Sequence, residues 1–183
     1  MSSGKNKRTK TVRKPGKKLP SRSAPRRRKA YKRVGGKNTR AVLRAICERI
    51  LWHCRGSTAA AAAEQLGLAT HDINNLKAGN RASLDIVIKM INKGGFSPES
   101  IIFGSGLKKM NPAARKRTVR KSSISARIRQ LARSKPAQQW SEATELSIHS
   151  IYQLRFSGSR AGIHAVLGFI NAGVSVRELF YGK

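Results

Sequence analysis

The stretch GLATHDINNLKAGNRASLDIVIKMINKGGFSPESIIFG, residues 67–104, decides the fold. Its apolar residues Leu84, Val87, Ile88 and Ile91 recur at three- and four-residue steps, and nowhere does the stretch alternate as a strand requires. The spacing predicts a helix over residues 70–77, stopped by Gly79 in a left-handed conformation, and a second helix over residues 84–91, ended by Gly94 and Gly95. Ser97-Pro98-Glu99 then starts a last helical turn, with Pro where its missing N–H costs nothing. Upstream, Leu43, Ile46 and Ile50 predict a helix over residues 39–53. Ser57 or Thr58 caps another, for which the alanines at 59–63 are strong formers. Five short helices within residues 41–104 make an all-α unit.

The pattern returns about 78 residues later as ELSIHSIYQLRFSGSRAGIHAVLGFINAGVSVRELFYG, residues 145–182. Leu68 matches Leu146, His71 matches His149, Ile73 matches Ile151, Leu76 matches Leu154 and Lys77 matches Arg155. After a one-residue shift, Gly79 matches Gly158, Arg81 matches Arg160, Leu84 matches Ile163 and Asn92 matches Asn171. The first offset resumes with Ser97 on Ser175 and Gly104 on Gly182. Two copies are too few for a solenoid, which needs about three. The chain therefore reads as a basic arm (1–40), a helical domain (41–104), a basic linker (105–123) and a second helical domain (124–183).

Charge is segregated in the same way. The formal net charge of +31 comes from 39 Lys and Arg against 8 Asp and Glu, a self-repulsion that calls for a polyanion. The first forty residues hold seventeen of the basic side chains and no acid, with the densest run at Arg26, Arg27, Arg28 and Lys29. With so few apolar residues the arm is expected to be disordered without a partner, and it matches neither a secretion signal nor an import helix. Seven more basic residues and no acid lie in residues 105–123, among them Arg115, Lys116 and Arg117. No run approaches the roughly 20 apolar residues of a membrane span, so no membrane partner is expected and the location is read as intracellular, cytoplasmic or nucleoid, or in a virion.

The sequence carries no convincing catalytic or metal-binding pattern. Cys47 and Cys54 fall two turns apart on one helix, roughly 10 Å, too far to bridge each other. With His53 they do not converge as a tetrahedral metal site needs, so no metal and no cofactor is expected. There is no phosphate-cradling G-x-x-x-x-G-K motif, and Ser105-Gly-Leu-Lys108 matches S-x-x-K only by chance, in a basic linker without partner motifs. The expectation is no enzyme. Trp52 and Trp140 read as core or helix-packing residues.

The order of elements resembles the helix-turn-helix domain of the phage repressor and Cro-like family. Ala63, Gly67, Leu68, Ile73, Gly79, Leu84, Ile88 and Phe96-Ser97 carry the resemblance in copy one. In copy two, Ile151, Leu154, Gly158, Ile163, Leu167 and Val174-Ser175 fill the same slots more loosely, and Glu145 stands where the turn Gly is expected. The resemblance implies two tandem small helix-turn-helix bundles whose third helix enters the major groove. Base-contact candidates are then Thr70, His71, Asn74 and Asn75 in copy one, and Ile148, His149, Tyr152 and Gln153 in copy two. Asn and Gln can bond adenine bidentately, while Ile148 and Tyr152 suit thymine methyls or a partner protein equally well. Lys77, Arg81, Arg155 and Arg160 are placed for phosphates.

The function expected from all this is DNA binding by tandem modules whose basic arms hold the phosphate backbone, in genome organisation or transcription regulation. The partner expected is double-stranded DNA. Because the nineteen linker residues can extend roughly 60 Å, both modules could bind one asymmetric bipartite site or bridge two duplexes, and a homo-oligomer would also fit. The alternative is RNA, ribonucleoprotein or viral genome binding through the arms, with the helical domains as docking blocks.

Overall fold

The computed structural model describes residues 37–111, 118–156 and 161–182. The chain divides into residues Met1–Lys32, which lie outside the described residues, and one compact unit, Arg33–Lys183. Among the described residues the fold is all-α. Copy one is built from α1 (Lys37–His53), α2 (Ala59–Leu66), α3 (Thr70–Lys77), α4 (Leu84–Asn92) and α5 (Pro98–Ile102). Copy two is built from α6 (Lys121–Ser134), α7 (Ala137–Thr144), α8 (Ile148–Phe156), α9 (Ile163–Asn171) and α10 (Val176–Tyr181). Both copies thus place the same five helices in the same order.

Local chemistry sets these boundaries. Thr58 caps α2 by accepting from the Ala61 N–H, Ser83 caps α4 through Ile86, and Ser97 and Ser175 cap the fifth helix of each copy. Gly79 takes φ +86°, the left-handed end expected after α3. Gly67 closes α2 at φ +68°, and Glu145 holds the same turn of copy two at φ 55°, the one non-glycine positive φ among the described residues.

In each copy an arginine of the first helix fixes the last. Arg49 donates to the carbonyls of Ile101 and Ile102 at 2.5 and 3.0 Å, and Arg127, 78 residues on, donates to Leu179 at 2.9 Å. Burial and these carbonyls leave Arg49 only partly in water, and the loss of solvent lowers its pKa.

The copies pack directly on one another. Helix α1 lies against α9, the equivalent pair α6 and α4 also touch, and α5 meets α10. The exchange is reciprocal, as in a two-fold dimer made within one chain. At the end of α4, Asn92 bonds the backbone N–H and C=O of Val119 just before α6. Its equivalent at the end of α9, Asn171, reaches the Thr39 hydroxyl at the start of α1. Near the pseudo-axis Arg177 pairs with Glu99, its own counterpart by the repeat, at 3.1 Å.

The segment read as a linker is tied down at both of its described ends. The Ser97 N–H donates to the Lys108 carbonyl, Leu107 and Met110 pack against the core, and Val119 is buried. Spacing between the copies is therefore held by packing and not by the reach of nineteen extended residues. Arg115, Lys116 and Arg117 lie outside the described residues.

One aromatic departs from expectation. Trp140 is buried against Phe169, but Trp52 is 62 % exposed. Leu43, Ile46, Ile50 and Cys54 define the buried stripe of α1, and two residues past Ile50 is about 200° around the helix, so Trp52 faces outward with the Arg55 guanidinium over its ring. Cys47 and Cys54 are free thiols, and no cluster of metal-ligating side chains occurs among the described residues.

Candidate nucleic-acid interface

Helix α3 is anchored by three inward residues, Asp72, Ile73 and Leu76. Asp72 serves as its start: the Ala69 N–H donates to Oδ2 at 3.2 Å, and the same oxygen takes the Lys89 ammonium of α4 at 2.7 Å. Burial alone would raise this carboxyl's pKa. The bonds from Lys89 and Ala69, with the charges of Lys89 and His71, outweigh that and hold it below the ordinary range. The helix is thus pinned to α4 by an ion pair beneath its surface.

What remains on the outward face is polar. Thr70, His71, Asn74, Asn75 and Lys77 are all exposed, and the first four occupy one side of the first turn and a half. His71 Nε2 stands 3.2 Å from Asp72 Oδ1, which orients a ring whose side chain is 72 % exposed. Thr70, His71, Asn74 and Asn75 offer both donors and acceptors to a base edge.

Beyond Gly79, exposed Arg81 joins two residues that sequence reasoning missed, Arg40 and Arg44 of α1, around a cavity of about 350 Å³ floored by Leu43, Leu51 and Leu76. Arg44 is also paired with Glu48 at 2.8 Å, an exposed i,i+4 bridge that a phosphate can replace at little cost. The only signal in the sequence was the four-residue spacing of the two arginines on α1, too common to single out. Together with Lys77, these cations gather at the C-terminal end of α3.

Copy two uses its third helix differently. Ile151 and Leu154 face the core, leaving Ile148, His149, Tyr152 and Gln153 outward as expected, together with Phe156. Gln153 and His149 share a hydrogen bond at 3.0 Å, so the two polar candidates bond each other. Arg155 is half-buried. Its Nε donates to the Ala132 carbonyl at 2.6 Å and an Nη to the Lys135 carbonyl, closing the C-terminal end of α6. Its guanidinium is engaged with the protein's own backbone. Arg160, Arg26, Arg27, Arg28 and Lys29 lie outside the described residues.

No helix among the described residues is long and apolar enough to cross a membrane. No protein-family model, curated protein or solved structure matches this chain.

Proposed function

We propose that the chain is a DNA-binding protein in which two helix-turn-helix modules form an intramolecular pair. Helix α3 of copy one reads base edges, and the basic arm supplies most of the affinity through phosphates. The observation that carries the reading is the division of α3. Ile73, Leu76 and the Asp72–Lys89 pair hold the helix from below, while Thr70, His71, Asn74 and Asn75 stand free of the core in one outward row. The net charge of +31 supports a phosphate polymer as the partner, and the cations at Lys77, Arg40, Arg44 and Arg81 gather at the C-terminal end of α3, where backbone contacts would orient it.

The role within that class is architectural or regulatory: a charge this large exceeds what a site-specific repressor needs, and it suits organisation of a long polyanion. The test is to select preferred duplexes from a random pool, then compare the full chain with Asn75→Ala on the selected duplex, on random duplex and on structured RNA. Asn75→Ala is expected to lose about 1–3 kcal/mol on the selected duplex and little on the others. Equal losses on every substrate would overturn base reading by α3, and tighter binding to structured RNA than to any duplex would move the partner to RNA.

A further inference from the structure

Three of the large apolar side chains that stand exposed among the described residues fall on one nine-residue helix. Ile148, Tyr152 and Phe156 of α8 are 41 %, 47 % and 72 % exposed and lie at i, i+4 and i+8, a single stripe along the outer face. The Tyr152 and Phe156 rings are nearly parallel, 17° apart, with centroids 6.3 Å from each other. Contiguous exposed apolar stripes on a charged protein mark a contact surface.

We propose that this stripe pairs with the same stripe on a second copy of the chain, with the two α8 helices antiparallel about a two-fold axis at Tyr152. Charge argues for this occupant. Arg155 is the one Lys, Arg, Asp or Glu in α8, and its guanidinium is bonded to the carbonyls of Ala132 and Lys135. The outer face is left with Ile148, His149, Tyr152, Gln153 and Phe156, with the Arg155 guanidinium 5.7 Å from the Tyr152 ring centroid and two of its nitrogens turned to backbone carbonyls. It is a poor surface for phosphate and one where two strongly positive chains meet with the cations kept to its end.

The ends of the helix are complementary in the antiparallel sense. Exposed Glu145 stands just before α8, and exposed Arg133, which bonds the Arg155 carbonyl, stands with Lys135 at its far end. Antiparallel pairing brings the acidic end of each copy to the basic end of the other and opposes the helix dipoles favourably. It also sets Ile148 against Phe156 of the second copy, a small group against a large one, with Tyr152 meeting its own symmetry mate.

The stripe buries roughly 300 Å² a side, well below the ~800 Å² per partner of a standard interface. The pair is consequently weak in free solution and becomes populated when copies are held close on one polyanion, where effective concentration replaces affinity.

Cysteine cross-linking of the full chain at high protein concentration and high salt tests the pairing without any nucleic acid, so its failure is distinct from failure of the DNA reading. Tyr152→Cys is expected to give a 152–152 disulfide identified by peptide mass mapping, which also sets aside links through Cys47 or Cys54. Ile148→Cys mixed with Phe156→Cys is expected to link 148 to 156, with neither linking to itself. In sedimentation, Phe156→Ser should weaken dimerisation at least tenfold with the helical circular dichroism unchanged. Glu145→Lys should weaken it less, and Glu145→Lys combined with Lys135→Glu should restore it.

A folded Tyr152→Cys chain that forms no 152–152 link overturns the proposal, as does a 148–148 or 156–156 link. A link from residue 152 to another part of its own chain would assign the stripe to an internal segment and overturn it too. Loss of single-copy duplex binding in Phe156→Ser with dimerisation intact would make α8 a base-contacting helix and overturn it equally.

Discussion

Copy one and copy two carry the same helices but solve the close approach of helix two to helix four in different ways. In copy one the approach is made at a turn. A Cβ on Gly67 would lie 2.3 Å from the Gly94 nitrogen and 2.6 Å from the Lys93 Cβ, and the residue also needs φ +68°. In copy two the equivalent turn residue is Glu145, whose side chain has room to reach the Asn38 amide at 3.4 Å. The close approach has moved onto a helix, where a Cβ on Gly168 would lie 2.9 Å from the Thr144 carbonyl oxygen. One backbone plan can be closed by glycine at either surface of the contact, and only the glycine in the turn combines a clash with a left-handed backbone.

The largest expected effect follows from that difference. Gly67→Ala adds a left-handed alanine, about 1–2 kcal/mol, to an overlap with backbone atoms that cannot swing aside, for a total of about 3 kcal/mol or more. Gly168→Ala suffers the overlap alone and recovers about 1 kcal/mol of helix propensity, so it should cost much less. Glu145→Gly should stabilise the fold by about 1 kcal/mol. Urea denaturation of the three variants checks the order. If Gly67→Ala costs no more than Gly168→Ala, the two turns are not being closed by different means.

The next effect compares the two asparagines that tie the copies together. Asn92 accepts from the Val119 N–H at 2.9 Å and donates to its carbonyl at 2.8 Å, whereas Asn171 makes one long bond of 3.5 Å to Thr39. Asn92→Ala strands both backbone groups of a buried residue and should cost about 2 kcal/mol. Asn171→Ala should cost about 0.5 kcal/mol or less. Thermal melts of the two variants decide whether the α4–α6 contact is the stronger half of the pseudo-dimer.

How much of this was legible in the sequence depends on how local each feature is. Thr58, Ser97 and Gly79 act within one helical turn, so the helix ends they set could be read from neighbours alone. The same holds for the outward face of α3, because Ile73 and Leu76 fix which side of an eight-residue helix is buried. Arg155 was not legible as a cap of α6, since its carbonyl partners stand twenty or more residues away. Nor was the docking of one copy on the other. Its polar ties, Asn92, Asn171 and the Arg177–Glu99 pair, are residues with no period of their own. Trp52, read as a core or helix-packing residue, is exposed because its angle around α1 turns it away from the buried stripe.

The smallest expected effect sharpens the comparison at the start of helix four. Asp85 opens α4 and pairs with Lys121 of α6 at 2.8 Å, a bridge open enough to water to contribute little. Its equivalent at the start of α9 is His164, which faces two cations, Arg40 of α1 and Arg81, and whose Nδ1 is buried with no partner. Burial lowers the His164 pKa first, and the charges of Arg81 and Arg40 lower it further. The folded protein therefore keeps this ring neutral at pH values where the unfolded chain, with an ordinary pKa near 6.5, already binds a proton. More protons on the unfolded state means that stability rises with pH. The contribution is complete above about pH 7 and is lost as the pH falls through about 6.5 towards the lowered folded value. His164→Gln should remove this acid-side decline while leaving stability near pH 8 almost unchanged. His164→Asp should go further and make the α1–α9 contact resemble α4–α6, with an acid beside Arg40. Melting temperatures from pH 8 to pH 5 for the three chains check this, and an acid decline that persists undiminished in His164→Gln would place its source in another group.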